Sequence, residues 1–439
     1  MWSTVCVVAV TTLLFPIGGL AIPSSCPNVP PARYTYELIK GWSATKVADG
    51  LVSPRGIAID GQGRILIVEE GVGISQLTVD TASGCVTSSR TLVSMTVLNH
   101  GISLATDGRT LYASSATTVF GWSYSLESGM ISGPPIIIVS NMNSVGHVTR
   151  TLINPPHRPD LLVVSHGSNG NLDYASVDPT TARAVVKVFD ISTVPAGGWD
   201  YKTDGWNAGY GLRNEVGLVF DGNNMLWGVE NSADELTRDI NGTSTDIHND
   251  NPAEELNFIG DVAIPNDHWF GYPTCYTIWL PDAAITSGVH ELGVGQQFVV
   301  APNETFDDNT CAHVSTPPRL GFQAHTAPLD AKFDSLYMNL FVTLHGSWNR
   351  QPPAGYKLIA VPFVRDRDTG AFNPAASSTD SMEGYLDVFY PPDEGNCSST
   401  SCARPVGLAF DEAGRLYMTS DTSGEVFILS GEQSALRLT

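Results

Sequence analysis

The chain has 439 residues, with 45 Asp or Glu against 23 Lys or Arg, which gives a formal net charge of −22 at pH 7. Nucleic acids and anionic membranes reward basic surfaces, so this balance argues against both as partners. The length exceeds that of one ordinary compact core and suits a repeat architecture that closes on itself.

The chain begins with an apolar segment that is typical of a secretory signal peptide. The apolar run covers residues 5–20, is broken by Pro16 and Gly19, and has no basic cluster after it to stop transfer. Such a segment is too short for a membrane anchor. We expect residues 1–21 to be removed after Ala21, which leaves a secreted, extracellular protein with one domain over residues 22–439.

The cysteines agree with export. Seven are present, and six remain once Cys6 leaves with the signal peptide. An even number in an exported chain predicts three disulfides. The sequence leaves the pairing open, and proximity favours Cys397–Cys402, with Cys26–Cys85 and Cys275–Cys311 as the remaining pairs. Glycosylation sequons predict surface loops at Asn241, Asn303 and Asn396.

A phrase recurs along the chain, in which an apolar run leads through Asp-x-x-Gly, or a variant of it, into a β-branched strand. Its copies cover residues 55–68, 101–113, 150–164, 213–229, 327–344 and 404–418, and the fifth is degenerate. Each unit reads as strand, turn and strand, followed by one or two further strands, and no long stretch has a helical period. Six such units predict an all-β fold, a six-bladed β-propeller.

The segments between and before these copies lead to further expectations. Residues 34–40 would complete the last blade and close the ring. The insertions 233–261 and 272–317 would form extended loops on the face that carries the active site. The acidic run 246–255 lacks the spacing of an EF-hand, so a solvated loop is favoured over a calcium loop.

Polar and cationic groups stand at the starts of blade strands, where they would point toward the central channel. They occupy residues 99–101, 146–150, 211–214 and 403–405, and a fifth cluster covers residues 345–356. Taken singly, each arginine is explained by bonds to loop carbonyls between blades. Gathered at one mouth of an otherwise acidic propeller, the arginines would form a local anion site.

These segments resemble the glucose/sorbosone dehydrogenase family of quinoproteins, and especially its secreted fungal sugar dehydrogenases. The resemblance is carried by His147 with Arg150, by Gly-Leu-Arg-Asn-Glu-Val-Gly-Leu at 211–218, by His-Gly-Ser-Trp-Asn-Arg at 345–350 with Gly-Tyr-Lys at 355–357, and by Arg-Pro-Val-Gly-Leu-Ala-Phe-Asp at 404–411 with Asp-Thr-Ser-Gly at 421–424. It covers nearly the whole mature chain in order.

The resemblance implies that a planar tricarboxylate cofactor, pyrroloquinoline quinone (PQQ), lies across one mouth of the channel. The residues implied to bind it are His100, Arg213, Asn214, His345, Trp348, Arg350 and Arg404. His147 is the implied catalytic base, which takes the proton of the anomeric hydroxyl as hydride passes from that carbon to C5 of the quinone. His325 would lie at the substrate mouth, with ordinary packing as an equal alternative.

The resemblance also implies calcium, which would bridge the carbonyl, ring nitrogen and carboxylate of the quinone. Relatives typically carry Glu-His-Gly-Pro after a strand of the fourth blade, where this chain has Glu-Asn-Ser-Ala-Asp at 230–234. The main-chain carbonyls of Ser232 and Ala233 would then be the calcium ligands. Asp234 either contributes a ligand or lies at the surface.

The predicted activity is the oxidation of a small reducing sugar by a monomer, with electrons passed to an external acceptor such as a cytochrome or a polysaccharide-active redox enzyme. One rival is a calcium-dependent propeller lactonase, which would hold its metal with convergent side chains and leave Arg213 and Arg404 unexplained. The other is a non-catalytic sugar-binding propeller, which would repeat one aromatic site on each blade. This chain has a different polar set on every blade.

Overall fold

The structure is a computed structural model that describes residues 24–286, 292–432 and 436–438. The predicted signal peptide, residues 1–21, lies outside these ranges. Among the helices in the described part of the chain, none has both the length and the apolar character needed to cross a membrane.

Six antiparallel sheets form the blades of a propeller, which confirms the predicted fold class. Blade 1 contains Pro54–Ile59, Ile65–Glu69, Gly73–Val79 and Val86–Ser94. Blade 2 contains Leu98–Leu104, Thr110–Ser115, Val119–Ser125 and Met130–Ser140. Blade 3 contains Leu152–Ile153, Leu161–His166, Val185–Asp190 and Trp206–Tyr210. Blade 4 contains Glu215–Phe220, Leu226–Glu230, Glu254–Gly260 and Leu320–Phe322. Blade 5 contains Pro328–Phe333, Asn339–Leu344, Lys357–Arg365 and Leu386–Tyr390. Blade 6 contains Pro405–Phe410, Leu416–Ser420, Glu425–Gly431 and Trp42–Ala48.

Short strands extend three of these sheets. Ser24–Ser25 pairs with Trp42–Ala48, Trp199–Asp200 pairs with Met130–Ser140, and Phe372–Pro374 pairs with Lys357–Arg365. Short 3₁₀ segments lie in the connections, at Tyr174–Val177, Pro179–Thr181, Ser378–Glu383 and Glu394–Asn396.

The recurring Asp-x-x-Gly phrase is the turn between the first and second strands of a blade. In blade 1, the Asp60 carboxylate accepts hydrogen bonds from the backbone N–H groups of Gln62 (2.9 Å) and Arg64 (2.8 Å). Asp221, Asp334 and Asp411 make the same pair of bonds in blades 4, 5 and 6. A short carboxylate that binds its own following backbone stabilises a tight turn, which explains why this residue recurs even in the degenerate fifth copy.

The ring is closed by Trp42–Ala48, which pairs antiparallel with Glu425–Gly431 of blade 6. The prediction that residues 34–40 provide this strand was wrong. Within that segment, Glu37–Leu38 pairs with blade 5, because the fully buried ring of Tyr36 stacks on Phe389 at a centroid distance of 4.0 Å. An aromatic anchor therefore fixes the segment at the seam between blades 5 and 6, and the chain reaches the closing strand one turn later.

Each interface between neighbouring blades has its own apolar cluster. For example, Trp227 of blade 4 packs edge-on against Phe363 of blade 5 at 5.1 Å, and Leu66 and Val68 of blade 1 pack with Leu111 of blade 2. A blade can bury its two faces only against its neighbours. The six interfaces together hold the innermost strands in fixed positions around the channel.

Two insertions extend blade 4. The first carries the hairpin Thr237–Ile240 and Thr243–Asp246, and the second carries the strand pair Cys275–Thr277 and Gln297–Val299 with the helices Ala283–Thr286 and Asp308–Val314. The expectation that all of 233–261 is loop was wrong, because Glu254–Gly260 is the third strand of blade 4.

The three predicted disulfides are present, at Cys26–Cys85, Cys275–Cys311 and Cys397–Cys402. The second ties the helix Asp308–Val314 to the strand pair of the insertion. The side chains of the sequon residues Asn241, Asn303 and Asn396 are exposed, as glycosylation requires, and their modification stays a prediction.

Closure should depend on one buried ion pair. Lys46 Nζ lies 2.8 Å from Glu425 Oε1, and the two residues are 1% and 0% exposed. Because removing one partner leaves an uncompensated buried charge, Lys46→Ala should lower the free energy of unfolding by about 3 kcal/mol or more. Urea unfolding would measure the loss. The exposed Lys40→Ala is the matched control, and equal stability of the two variants would contradict the prediction.

Candidate active site

A cavity of about 300 Å³ lies at the channel mouth where the innermost strands begin. Its polar and aromatic lining includes Arg55, His147, Arg213, Asn214, Ser232, Asp234, Glu254, His325, His345, Trp348, Asn349 and Arg404. The structure thus brings together the predicted His147, Arg213, Asn214, Ser232, His325, His345, Trp348 and Arg404 in one place.

The hydrogen bonds of His147 determine which ring nitrogen carries the proton. Nδ1 lies 3.1 Å from the backbone oxygen of Ser168 and 3.0 Å from its hydroxyl oxygen, and that hydroxyl donates its own hydrogen to Gly170 O at 2.7 Å. Both neighbours of Nδ1 are therefore acceptors, so Nδ1 carries the hydrogen in the neutral ring. Nε2 is left with its lone pair free to accept a proton.

The surroundings of His147 also keep its ring neutral. Burial, with the positive charge of Arg213, lowers the pKa of His147 to about 4.

The loop that carries His147 is held by Arg150, which is fully buried and donates to His147 O at 2.6 Å. Gly167 leaves the necessary space, since a Cβ there would lie 2.6 Å from His147 Cβ and 2.7 Å from Asn214 Oδ1.

Arg213 is buried and bonded on every side. Its guanidinium donates to Asn171 O, Asn171 Oδ1 and Asn231 O at 3.0–3.2 Å, to Ser232 O, and to Asp234 Oδ2 at 2.8 Å. A guanidinium held by this many acceptors has one orientation. Its charge is fixed at the cavity wall.

Arg404, His345, Asp421 and Arg55 form a hydrogen-bonded chain beside the cavity. Arg404 Nη2 donates to His345 Nδ1 at 2.9 Å, His345 Nε2 donates to Asp421 Oδ2 at 2.9 Å, and Arg55 Nη1 pairs with Asp421 Oδ2 at 2.7 Å. Burial lowers the pKa of His345 to about 4 against the opposing effect of Asp421. Burial would raise the pKa of Asp421, but His345 and Arg55 together hold it well below its usual range.

Asp234 joins several of the loops around the cavity. Its carboxylate accepts hydrogen bonds from Arg213 and from Asn349 Nδ2 at 3.0 Å, and it lies 3.5 Å from His325 Nδ1. Burial alone would lower the pKa of His325, but Asp234 and Glu254 outweigh it and raise that pKa. The arrangement places a carboxylate, an amide and an imidazole on one side of the cavity.

A family model described as TrAA12-like matches residues 36–432. The chain belongs to the TrAA12-like family. A Coprinopsis cinerea protein named pyrroloquinoline quinone-dependent pyranose dehydrogenase is 38% identical over 411 residues, which cover 92% of this chain and 56% of that protein. The chain therefore spans little more than half the length of this curated relative.

Solved structures of similar proteins agree with the family assignment. The holo form of the pyranose dehydrogenase PQQ domain from Coprinopsis cinerea has a TM-score of 0.89 at 38% identity and covers 93% of this chain and 100% of its own. The calcium structure of the family AA12 enzyme from Trichoderma reesei has a TM-score of 0.84 at 35% identity, with coverage of 93% and 100%. The family membership agrees with the resemblance expected from the sequence.

Three predicted residues of this TrAA12-like protein lie away from the cavity lining. His100 is buried in the channel beneath the cavity, where its Nδ1 has no partner. Arg350 pairs with Asp250 at 2.7 Å and so fastens two loops. Ala233 is 1% exposed and packs in an apolar cluster of the insertion. Their assignments to cofactor and metal stay predictions.

Of the lining residues named above, Arg55, Glu254 and Asn349 were not assigned to the site from the sequence, and Asp234 was considered only as an alternative calcium ligand. Arg55 had a usable signal, because it begins the first copy of the phrase as Arg404 begins the last. Glu254 lies in an acidic run that resembles a solvated loop, yet burial raises the pKa of its carboxyl to about 7. Asp421 lies behind the cavity. Its only signal in the sequence is that it begins the segment 421–424, one of those that carry the family resemblance.

The predicted calcium ligands are carbonyl oxygens. Ser232 lines the cavity, and its carbonyl accepts a hydrogen bond from Arg213 Nη1. Its N–H donates to Glu254 Oε2 at 2.6 Å. In the described ranges of the chain, no group of three or more His, Cys, Asp or Glu side chains is arranged to hold a metal ion.

The protonation of His147 can be measured directly. We expect ¹⁵N-histidine NMR to show a neutral Nδ1–H ring at pH 6 and a pKa near 4. Arg213→Met should raise that pKa, because it removes a nearby positive charge. The exposed Arg319→Met is the control and should leave it unchanged. An Nε2–H tautomer would be incompatible with the assigned bonds.

Proposed function

We propose that this protein oxidises the anomeric carbon of a small reducing sugar, with PQQ and calcium as cofactors. The observation that carries the proposal is His147, whose Nε2 is free to accept a proton in the same cavity as three guanidinium groups. The named relative and the holo PQQ domain support the same activity.

The cavity residues fit a polycarboxylate cofactor. Arg55, Arg213 and Arg404 all line the cavity, and Arg55 Nε is a buried donor without a partner. Forked guanidinium donors suit carboxylates, and Asn214 adds a neutral amide. Arg55, Arg404 and Asn214 would hold the quinone, with His345 orienting Arg404, while Arg213, whose donors are bonded within the protein, would contribute its positive charge. When bound, the quinone supplies the chemistry of hydride acceptance.

The protein's own contribution is to move one proton. The hydroxyl of the substrate carbon gives its proton to His147 Nε2 while that carbon loses a hydride. The bonds of Nδ1 to Ser168 keep the ring oriented and stabilise it as it becomes positively charged. A pKa near 4 in the free protein ensures that the ring begins neutral.

Calcium would be held on the Ser232 side of the cavity by main-chain oxygen, with Glu254 and Asp234 as neighbouring carboxylates. Hard oxygen donors of this kind are the ligands that calcium prefers. Its chemistry would be to polarise the cofactor carbonyl. Support comes from the calcium structure of the AA12 enzyme.

The electron pair passes to an external acceptor, because neither the sugar nor the protein residues can act as the final electron acceptor. We propose a secreted monomer that passes electrons to a cytochrome or to a polysaccharide-active redox enzyme. The lactonase alternative does not account for the wall of arginines. A sugar-binding module would repeat one site on every blade. Here each blade contributes different polar residues to one cavity, which contains an imidazole nitrogen without a protein partner.

The decisive test is reconstitution followed by sugar addition. Apo protein with PQQ and Ca²⁺ should show a change in quinone absorbance when a reducing sugar is mixed in.

His147→Ala should retain quinone binding but lower turnover by about 10²–10⁴-fold, the usual contribution of general base catalysis. The exposed His157→Ala is the matched control. Retained turnover in His147→Ala would remove it from the base role, and no absorbance change with any aldose would reject the proposed function.

Quinone binding should depend on Arg404. Arg404→Met removes a cation of the wall and should weaken PQQ binding by roughly 10- to 100-fold, because a hydrogen bond to a charged group contributes about 1.5–3 kcal/mol. Fluorescence titration would measure the affinity. Arg319→Met serves again as the surface control, and unchanged binding in Arg404→Met would show that the carboxylates lie elsewhere.

A further inference from the structure

The guanidinium of Arg404 is bonded along one edge. Its Nε donates to His345 O at 3.1 Å, and its Nη2 donates to His345 Nδ1 at 2.9 Å and to Gly346 O at 3.2 Å. In the described part of the chain, no residue accepts a hydrogen bond from Nη1, and Arg404 lines the cavity. The direction of the Nη1 donors therefore depends on how the bonded edge is held.

The same guanidinium lies beside an aromatic ring. Arg404 Cζ is 5.9 Å from the centroid of the Tyr356 ring, a distance at which a cation and a ring attract each other. Tyr356 is 1% exposed, and its hydroxyl donates to Ser347 O at 2.5 Å. The backbone holds one end of this side chain and the hydroxyl bond holds the other, so the ring gives Arg404 a fixed surface.

The backbone brings the Tyr356 ring to this place against its ordinary preference. Tyr356 has a φ of 59°, a left-handed conformation that is rare for a bulky residue. A Cβ on Gly346 would lie 2.5 Å from carbons of the ring, so glycine is required for the ring to lie against this backbone. Such a conformation costs free energy and persists only where the surrounding contacts determine it.

A disulfide supplies contacts of this kind. Tyr356, Cys397 and Cys402 form one apolar cluster, in which the two cysteines are 4% and 8% exposed. Cys402 stands two residues before Arg404 in the chain. The bridge joins positions only 5 apart, and a short closed loop stabilises the folded chain less than a long one does. Its packing on the ring is therefore a larger part of what it contributes.

The loop that carries the disulfide is fastened to the strand that follows the ring. Lys357 Nζ lies 3.3 Å from Glu394 Oε2, and the N–H of Cys397 donates to Glu394 O at 3.0 Å. Lys357 is the residue after Tyr356 and begins a strand of blade 5. The disulfide, the ring and the guanidinium are thus packed in sequence beside the cavity.

We propose that the ring of Tyr356, supported by the Cys397–Cys402 disulfide, is a positioning element that holds the guanidinium of Arg404 against His345 and directs Nη1 into the cavity. The placement of Arg404 concerns the folded chain with or without a cofactor. Its consequence for quinone binding rests on the proposed function. A disulfide that served stability alone would leave Arg404 in place when it was removed.

The placement of Arg404 can be measured at His345 in the chain without cofactor. Burial lowers the pKa of His345 to about 4 against the opposing effect of Asp421, and the charge of Arg404 contributes to the lowering. ¹⁵N-histidine NMR should show a higher pKa in Tyr356→Leu and in the double variant Cys397→Ser/Cys402→Ser, because a displaced guanidinium no longer opposes the charged imidazole. Tyr356→Phe keeps the ring and should keep the wild-type pKa.

The matched control is the double variant Cys26→Ser/Cys85→Ser. It removes a bridge with a sequence separation of 59 between outer strands of the propeller, so it should unfold at a lower temperature and leave the pKa of His345 unchanged. A wild-type pKa in Tyr356→Leu or in the Cys397→Ser/Cys402→Ser variant would overturn the proposal. If one of these two does not fold, the other decides.

PQQ affinity in the presence of Ca²⁺ tests the consequence for the cavity. Cys397→Ser/Cys402→Ser should bind roughly tenfold more weakly than wild type, the lower end of the loss expected for one hydrogen bond to a charged group. In the Arg404→Met background the same substitutions should cause no further loss, because the disulfide acts through Arg404. An equal loss in both backgrounds would overturn the positioning role. If wild type does not bind PQQ, the proposed function fails, and the NMR comparison alone decides on Arg404.

Discussion

The site depends on closure of the ring, that is, on the antiparallel pairing of Trp42–Ala48 with Glu425–Gly431. A blade buries its faces only against its neighbours, so the apolar clusters on both sides of blade 6 are complete only when this pairing forms. Closure also fixes the beginnings of the innermost strands around one mouth. Arg55, Asn214 and Arg404, which are far apart in the chain, reach one cavity for that reason.

The cavity holds its cations by internal bonds, and this decides the state of its histidines. Taking a guanidinium out of water is costly unless acceptors surround it, and carbonyls and carboxylates surround Arg213 and Arg404. Burial, with the nearby guanidinium groups, lowers the pKa of both imidazoles and keeps them neutral, with opposite tautomers. His147 carries hydrogen on Nδ1 because its neighbours are acceptors, whereas His345 carries it on Nε2 because Arg404 donates to Nδ1. Of these two histidines, only His147 is left with a ring nitrogen that has no protein partner.

The sequence predicted what repeats and missed what depends on contacts between blades. Each Asp-x-x-Gly turn is stabilised by bonds from its Asp to the backbone that follows, so these turns can be recognised locally, and the residues at strand starts follow from them. The closing strand was misplaced because Tyr36 is fixed by Phe389, a residue more than 350 positions away. Asp421 was not assigned to the site, since its role exists only through His345 and Arg55. Glu254–Gly260 was assigned to a loop because two adjacent glutamates at the start of a segment give no local signal for a buried strand.

The misassignment of Glu254–Gly260 has an electrostatic cause. Two ionised carboxylates 4 Å apart repel by about 4 kcal/mol at an effective dielectric constant of 20, so a pattern of charged residues ordinarily indicates solvent. Blade 4 instead buries Glu254 and Glu255, which are both 4% exposed.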